Sequence, residues 1–134
     1  MNTQTTSQYL LLFRGIDWHK GMSPEEIQAV TSKFLGWFER LTSEGKAKAG
    51  QPLLPEGKVV SGRNGRVVAD GPFAESKETI GGYFLLQVND MNEAVAIAQE
   101  CPGLSYGLTV EVRPVAAECP VAKSAREQLA RATA

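Results

Sequence analysis

"GGYFLLQVNDMNEAVAIA", residues 81–98, decides the fold. Tyr83-Phe84-Leu85-Leu86-Gln87-Val88 is a run of strand-favouring residues, apolar on both faces. Asp90 and Glu93 follow at capping-box spacing, so a helix starts there. It runs through Ala94-Val95-Ala96-Ile97-Ala98 and stops before Cys101-Pro102-Gly103. The same order occurs once before. Tyr9-Leu10-Leu11-Leu12-Phe13 is a strand ended by Arg14-Gly15, and Ile16 to Met22 form a loop. In Ser23-Pro24-Glu25-Glu26, Ser23 caps, Pro24 fits the first helical position and Glu26 reaches back to the cap. Ile27, Val30, Phe34, Phe38 and Leu41 then recur at helical spacing and mark a buried face, and Gly45 is the stop.

Each strand–helix pair leads to a further strand. After the first comes a short strand and loop within residues 46–58. After the second, Leu108, Val110 and Val112 alternate with Thr109, Glu111 and Arg113. Between the halves, Val59-Val60 and Arg66-Val67-Val68-Ala69 flank Asn64-Gly65, a hairpin signal. Two such halves with an inserted hairpin describe an α+β domain of the ferredoxin-like split βαβ type. Its antiparallel sheet carries helices on one face only. Yet the strands at 9–13 and 83–88 are apolar on both faces, so the second face needs a cover. The simplest cover is a second copy of the chain, two sheets closing into a dimeric α+β barrel. The domain spans residues 8–115. Residues 116–134 are Ala-rich, with Val121, Ala125 and Leu129 four residues apart, and read as a short helix or a frayed, solvated tail.

The totals narrow the function classes. A chain of 134 residues is one ordinary domain and buries about two-thirds of its unfolded surface. Hydrophobic residues are 43% and charged residues 22%, which excludes a disordered or fibrous chain. A net charge of -1 offers no reason to expect nucleic acid or an anionic membrane as partner. No apolar run has the length of a membrane span, and Met1 to Gln8 lack a signal-peptide core. Two cysteines make no disulfide framework, so reduced thiols in the cytoplasm are expected. Zinc-type ligand clusters and a phosphate-cradling glycine loop are missing, so neither metal nor cofactor is expected.

Asp70-Gly71-Pro72-Phe73 follows a predicted strand. Pro72 ends sheet pairing, Asp70 can bond the backbone N–H groups ahead of it, and Phe73 can anchor the turn. Gly81-Gly82 let the backbone approach something closely. All of this can be architecture. Equally, Asp70 at a strand end beside a pocket can orient a ligand or act as a base. His19 is the single histidine, the residue type suited to carry protons near neutrality, and it follows Trp18, an aromatic that can wall a pocket. Both also fit an exposed loop. Arg14 and Arg113 can bind a carboxylate or pair with Glu111. Neither Cys101 nor Cys119 sits in a nucleophile signature.

Asp70-Gly71-Pro72-Phe73-Ala74-Glu75 with Lys77-Glu78 and Gly81-Gly82-Tyr83 resembles the DGPF signature of the YCII-related protein family. Tyr9-Leu10-Leu11-Leu12, Met22-Ser23-Pro24-Glu25-Glu26 and Val110-Glu111-Val112-Arg113-Pro114-Val115 resemble that family in the expected order, over about residues 8–115. The resemblance implies a ferredoxin-like subunit of a dimeric barrel, and it implies no single activity. Smaller members carry a His–Asp pair suspected of catalysis, one branch resembles lactone-processing dehalogenases, and many are associated with alternative sigma factors. This chain departs from the smaller members, because residues 23–44 hold no His. The reading is a small-ligand-binding homodimer with an acid–base site. Asp70 and His19 move protons, and Arg14, Trp18, Gly71, Pro72 and Phe73 hold an unknown small molecule. The alternative is a non-enzymatic regulatory or interaction module.

Overall fold

Ser23 caps the first helix as its place before Pro24 predicts. Its Oγ accepts from the Glu26 N–H at 3.1 Å, and Glu26 Oε1 accepts from the Ser23 N–H at 2.8 Å. The computed structural model of the chain describes residues 7–71 and 79–133. Its elements are β1 (Ser7–Arg14), α1 (Pro24–Ser43), β2 (Ala47–Pro52), β3 (Gly57–Ser61), β4 (Val67–Gly71), β5 (Ile80–Val88), α2 (Met91–Ala98), a 3-10 turn (Pro102–Tyr106), β6 (Thr109–Pro114) and α3 (Pro120–Thr133). α1 ends where Gly45 takes φ 77°, a conformation that a side chain disfavours. At α2 the cap differs slightly from the expected box. Asp90 accepts from the Glu93 N–H, but the Glu93 side chain accepts from Asn89 rather than Asp90.

The main sheet has the order β2-β5-β1-β6, and every neighbouring pair is antiparallel. This is the ferredoxin-like arrangement. β3 and β4 form a separate two-stranded hairpin inserted between β2 and β5. Its loop is longer than two residues: Ser61 pairs with Val67, and Gly62 and Gly65 both take positive φ.

One face of the main sheet is the core. Tyr9, Leu11 and Phe13 of β1 and Phe84, Leu86 and Val88 of β5 alternate inward against α1 and α2. Leu11, Leu41 and Leu86 are fully buried, each burial contributing about 1.5–3 kcal/mol. The α1 face differs from its sequence reading: of Ile27, Val30, Phe34, Phe38 and Leu41, only Val30 and Leu41 are buried. Trp37 is buried with Val30 and Leu41, whereas Phe34 and Phe38 are half-buried beside it. Trp37 could turn inward because its indole N–H finds Glu100 Oε1 at 3.2 Å. On the sheet's other face, Leu10 and Leu12 of β1 and Tyr83 and Leu85 of β5 are half-buried and covered by neither α1 nor α2. Within the C-terminal segment, Pro120–Thr133 form a helix, α3, and none of its described residues is buried.

Candidate ligand cavity

β1 leaves the sheet at Gly15, whose φ of 107° turns the chain and whose N–H donates to the Thr79 carbonyl at 2.9 Å. The loop that follows is closed by Lys20 N–H to Asp17 O and Met22 N–H to His19 O, both 3.1 Å. It arches over one end of the sheet. On the floor, Gly50 of β2 pairs with Phe84 of β5, and Pro52 pairs with Gly82. Leu53 N–H extends that pairing to the Gly81 carbonyl at 2.8 Å.

These segments and α1 border a half-open cavity of about 790 Å³. That is within the ordinary range for a small-molecule site. Phe34, Leu35 and Phe38 of α1 form one wall, Phe13 and Phe84 another, and Trp18 and His19 stand in the arching loop. Phe84 meets Phe38 at 4.7 Å and Phe13 at 4.9 Å between ring centroids. Asp17 is the one Asp, Glu, Lys or Arg among the described lining residues, and its carboxylate lies 3.4 Å from Lys20 Nζ. The interior can therefore hold an apolar body; Thr31 and Gln51 add a hydroxyl and an amide, and the ionisable side chains among the described lining, Asp17 and His19, both belong to the loop.

The residues singled out from sequence do not all meet here. Trp18 and His19 line the cavity, their rings edge to face at 5.6 Å, and His19 is exposed to solvent. Gly81 and Gly82 line it too, so the close approach expected of them is to this space. Arg14 is on the opposite face of the sheet. Its Nε lies 3.7 Å from Glu111 Oε1 and, though buried, makes no hydrogen bond. Arg113 also reaches Glu111, at 3.6 Å. Asp70 and Gly71 are on β4, outside the described lining; the Asp70 carboxylate is exposed and pairs with Lys58 across the hairpin. Pro72 and Phe73 lie outside the described residues.

Sequence reasoning placed Phe34, Phe38 and Phe84 in the core and missed that they also line a cavity. It missed Gly50 altogether. A glycine inside a predicted strand is the signal that could have found it. Both cysteines are free thiols; Cys101 is buried and Cys119 exposed. Burial pushes the Cys101 thiol above its ordinary pKa, with backbone bonds at Gly103 and Leu104 offsetting part of the rise. Among the described residues, no group of three or more His, Cys, Asp or Glu converges on a metal-sized site, and no helix is long and apolar enough to cross a membrane.

No curated protein matches the chain in sequence. Among solved structures, 5-chloro-2-hydroxyhydroquinone dehydrochlorinase from Burkholderia phenoliruptrix AC1100, in complex with 2,5-dihydroxybenzoquinone, is similar with a TM-score of 0.42 and 13% identity, over 81% of this chain and 93% of that one. A hypothetical Arabidopsis thaliana protein is similar with a TM-score of 0.37 and 13% identity, over 89% of this chain and 96% of that one. The YCII-related domain, by contrast, matches residues 8–124 continuously, from β1 into the first turn of α3; the chain belongs to the YCII-related family.

Proposed function

We propose that this protein is a cytoplasmic homodimer that takes a small apolar molecule into the α1 cavity and exchanges a proton with it at His19. The carrying observation is the cavity itself, apolar within and bordered by the chain's one imidazole. Imidazole is the side chain whose ordinary pKa allows it to give and take protons near neutrality. Trp18, edge-on to it, limits the directions from which a substrate can reach the ring. Asp70, held by Lys58 outside the cavity lining, takes no part in this proposal. The two free thiols suit a reducing compartment.

The dimer is supported by the face of the sheet that α1 and α2 leave uncovered. Leu10, Leu12, Tyr83 and Leu85 make it apolar, and the buried Arg14 Nε beside Glu111 lacks a hydrogen-bond acceptor. A second copy packed there would exclude water from the leucines and can offer an oxygen to Arg14. Sedimentation should show a dimer that Leu12→Glu converts to a folded monomer. A wild-type monomer at micromolar concentration would remove the dimer from the proposal.

The experiment for the site is a metabolite screen read by melting temperature, followed by His19→Gln. Ligands should raise the melting point of both proteins, and conversion of any substrate should be lost only in the variant. Undiminished turnover by His19→Gln would end the acid–base assignment. A second reading, a non-enzymatic interaction module, is favoured by the β3–β4 hairpin, whose Val59, Val60, Val67 and Val68 all face solvent. It predicts a macromolecular partner whose binding is lost in Val60→Lys and unaffected by His19→Gln.

A further inference from the structure

Where β2 and β5 run beneath α1, two inward positions of the sheet are glycine, and the Phe84 ring lies over one of them. Gly50 and Gly82 occupy positions directed to the helix side, opposite Phe84 and Pro52 respectively. Glycine in a strand interior costs stability, and one of its uses is to let another body approach the backbone. Gly50 is the informative one. A Cβ there would lie 2.7 Å from Phe84 Cδ1 and 2.8 Å from Phe38 Cε1. The two rings thus rest against the bare Gly50 backbone, and any side chain would drive them into the cavity. At Gly82 a Cβ would meet the Gln51 carbonyl oxygen at 3.1 Å, a backbone atom that cannot swing away. The floor is therefore the Phe84 ring lying on Gly50 with the Gly82 backbone beside it, and the rings of Phe34 and Phe38 are the wall.

Taking the cavity as the ligand site of the preceding section, we infer that it accepts a flat, uncharged aromatic ring whose one polar group points to His19, and that Gly50 sets the fit. The Phe34, Phe38 and Phe84 rings and the Gly82 backbone offer flat contact, and aromatic pairs gain from edge-to-face or offset geometry what an alkyl chain cannot. A flexible chain would also lose rotamer freedom on being held against these surfaces. No Lys or Arg stands among the described lining residues, so a carboxylate on the ring would be desolvated without a partner.

The test is calorimetric titration with 2-naphthol, with n-decanol of equal carbon count, and with 2-naphthoate. 2-Naphthol should bind most tightly, by about tenfold over either competitor, the size of one favourable ring pair. Gly50→Ala should weaken it. Because that variant can also perturb the core, Leu35→Phe is the second probe. Leu35 is exposed on α1 yet lines the cavity, so the larger ring narrows the space from the helix side. It should weaken 2-naphthol severalfold without lowering the melting temperature. If n-decanol bound as tightly as 2-naphthol, and Leu35→Phe weakened both, the ring class would be overturned while the cavity remained a ligand site. If Leu35→Phe left the binding of all three unchanged, or none bound, the cavity reading would fall with it.

Discussion

The two sheets of this protein are built from similar residues and meet opposite fates. In the main sheet, Leu86 of β5 has no exposed surface; in the hairpin, Val60 of β3 is 61% exposed. Both segments satisfy the same strand signals. They differ in what their connections carry. β5 leads into α2, and the return to β6 lays that helix across the sheet. β3 leads through a short turn to β4, and nothing in that turn can form a covering layer. Strand propensity places residues on a pleated ladder, whereas burial depends on whether the next element folds back over it.

The largest effects should separate the two sheets directly. Leu86→Ala should cost about 2–5 kcal/mol in denaturant unfolding, the range for emptying a closed core site. Val60→Ala should stay within about 0.5 kcal/mol, as surface substitutions do. A comparable loss at Val60 would break the contrast and mean that the hairpin is buried against a partner.

Ser23→Ala comes next, at about 1 kcal/mol, because the Glu26 N–H loses the hydroxyl that accepts from it at the start of α1. Thermal unfolding checks it, and an unchanged midpoint would show that packing alone holds the helix.

A pH effect sharpens the comparison within the core. The folded Cys101 thiol ionises above its ordinary value because burial disfavours the thiolate. Below that ordinary value the thiol is protonated in both states and its contribution to stability is complete. As pH rises through it, the unfolded chain ionises first, and stability falls until the folded thiol also ionises. Unfolding free energy of wild type minus Cys101→Ala should thus decline only in alkaline solution. A thiol reagent at neutral pH should modify exposed Cys119 well before Cys101.

The smallest effect is on the hairpin. Lys58→Ala removes the partner of Asp70, and both side chains are mostly exposed, so the change should be within about 0.5 kcal/mol. A loss several times larger would show the pair to be shielded from water in the assembled protein.

Much of the fold was legible because the repeated strand and capped helix are local signals. Ser23-Pro24-Glu25-Glu26 states where α1 begins, and the Leu runs at 10–12 and 85–86 state which strands lie at the centre. Trp37 was not legible, since its burial rests on Glu100, sixty-three residues away, accepting from its indole. The cavity was legible only in pieces. Trp18, His19 and Gly81-Gly82 were read as candidates, but Asp70 and Arg14, read alongside them, belong to the hairpin and to the other face of the sheet.

By itself, then, the sequence determined the kinds and order of elements, the helix ends and the apolar character of both faces of the central strands. Those follow from periodicity, capping and turn chemistry, which act over a few residues. Tertiary structure alone decided which chemical groups share a space. Gly50, Phe84 and His19 come from three distant segments, and they converge because β2 pairs with β5 while the loop after β1 folds over that end of the sheet. Such convergence is set by strand register and packing, and no spacing along the chain encodes it.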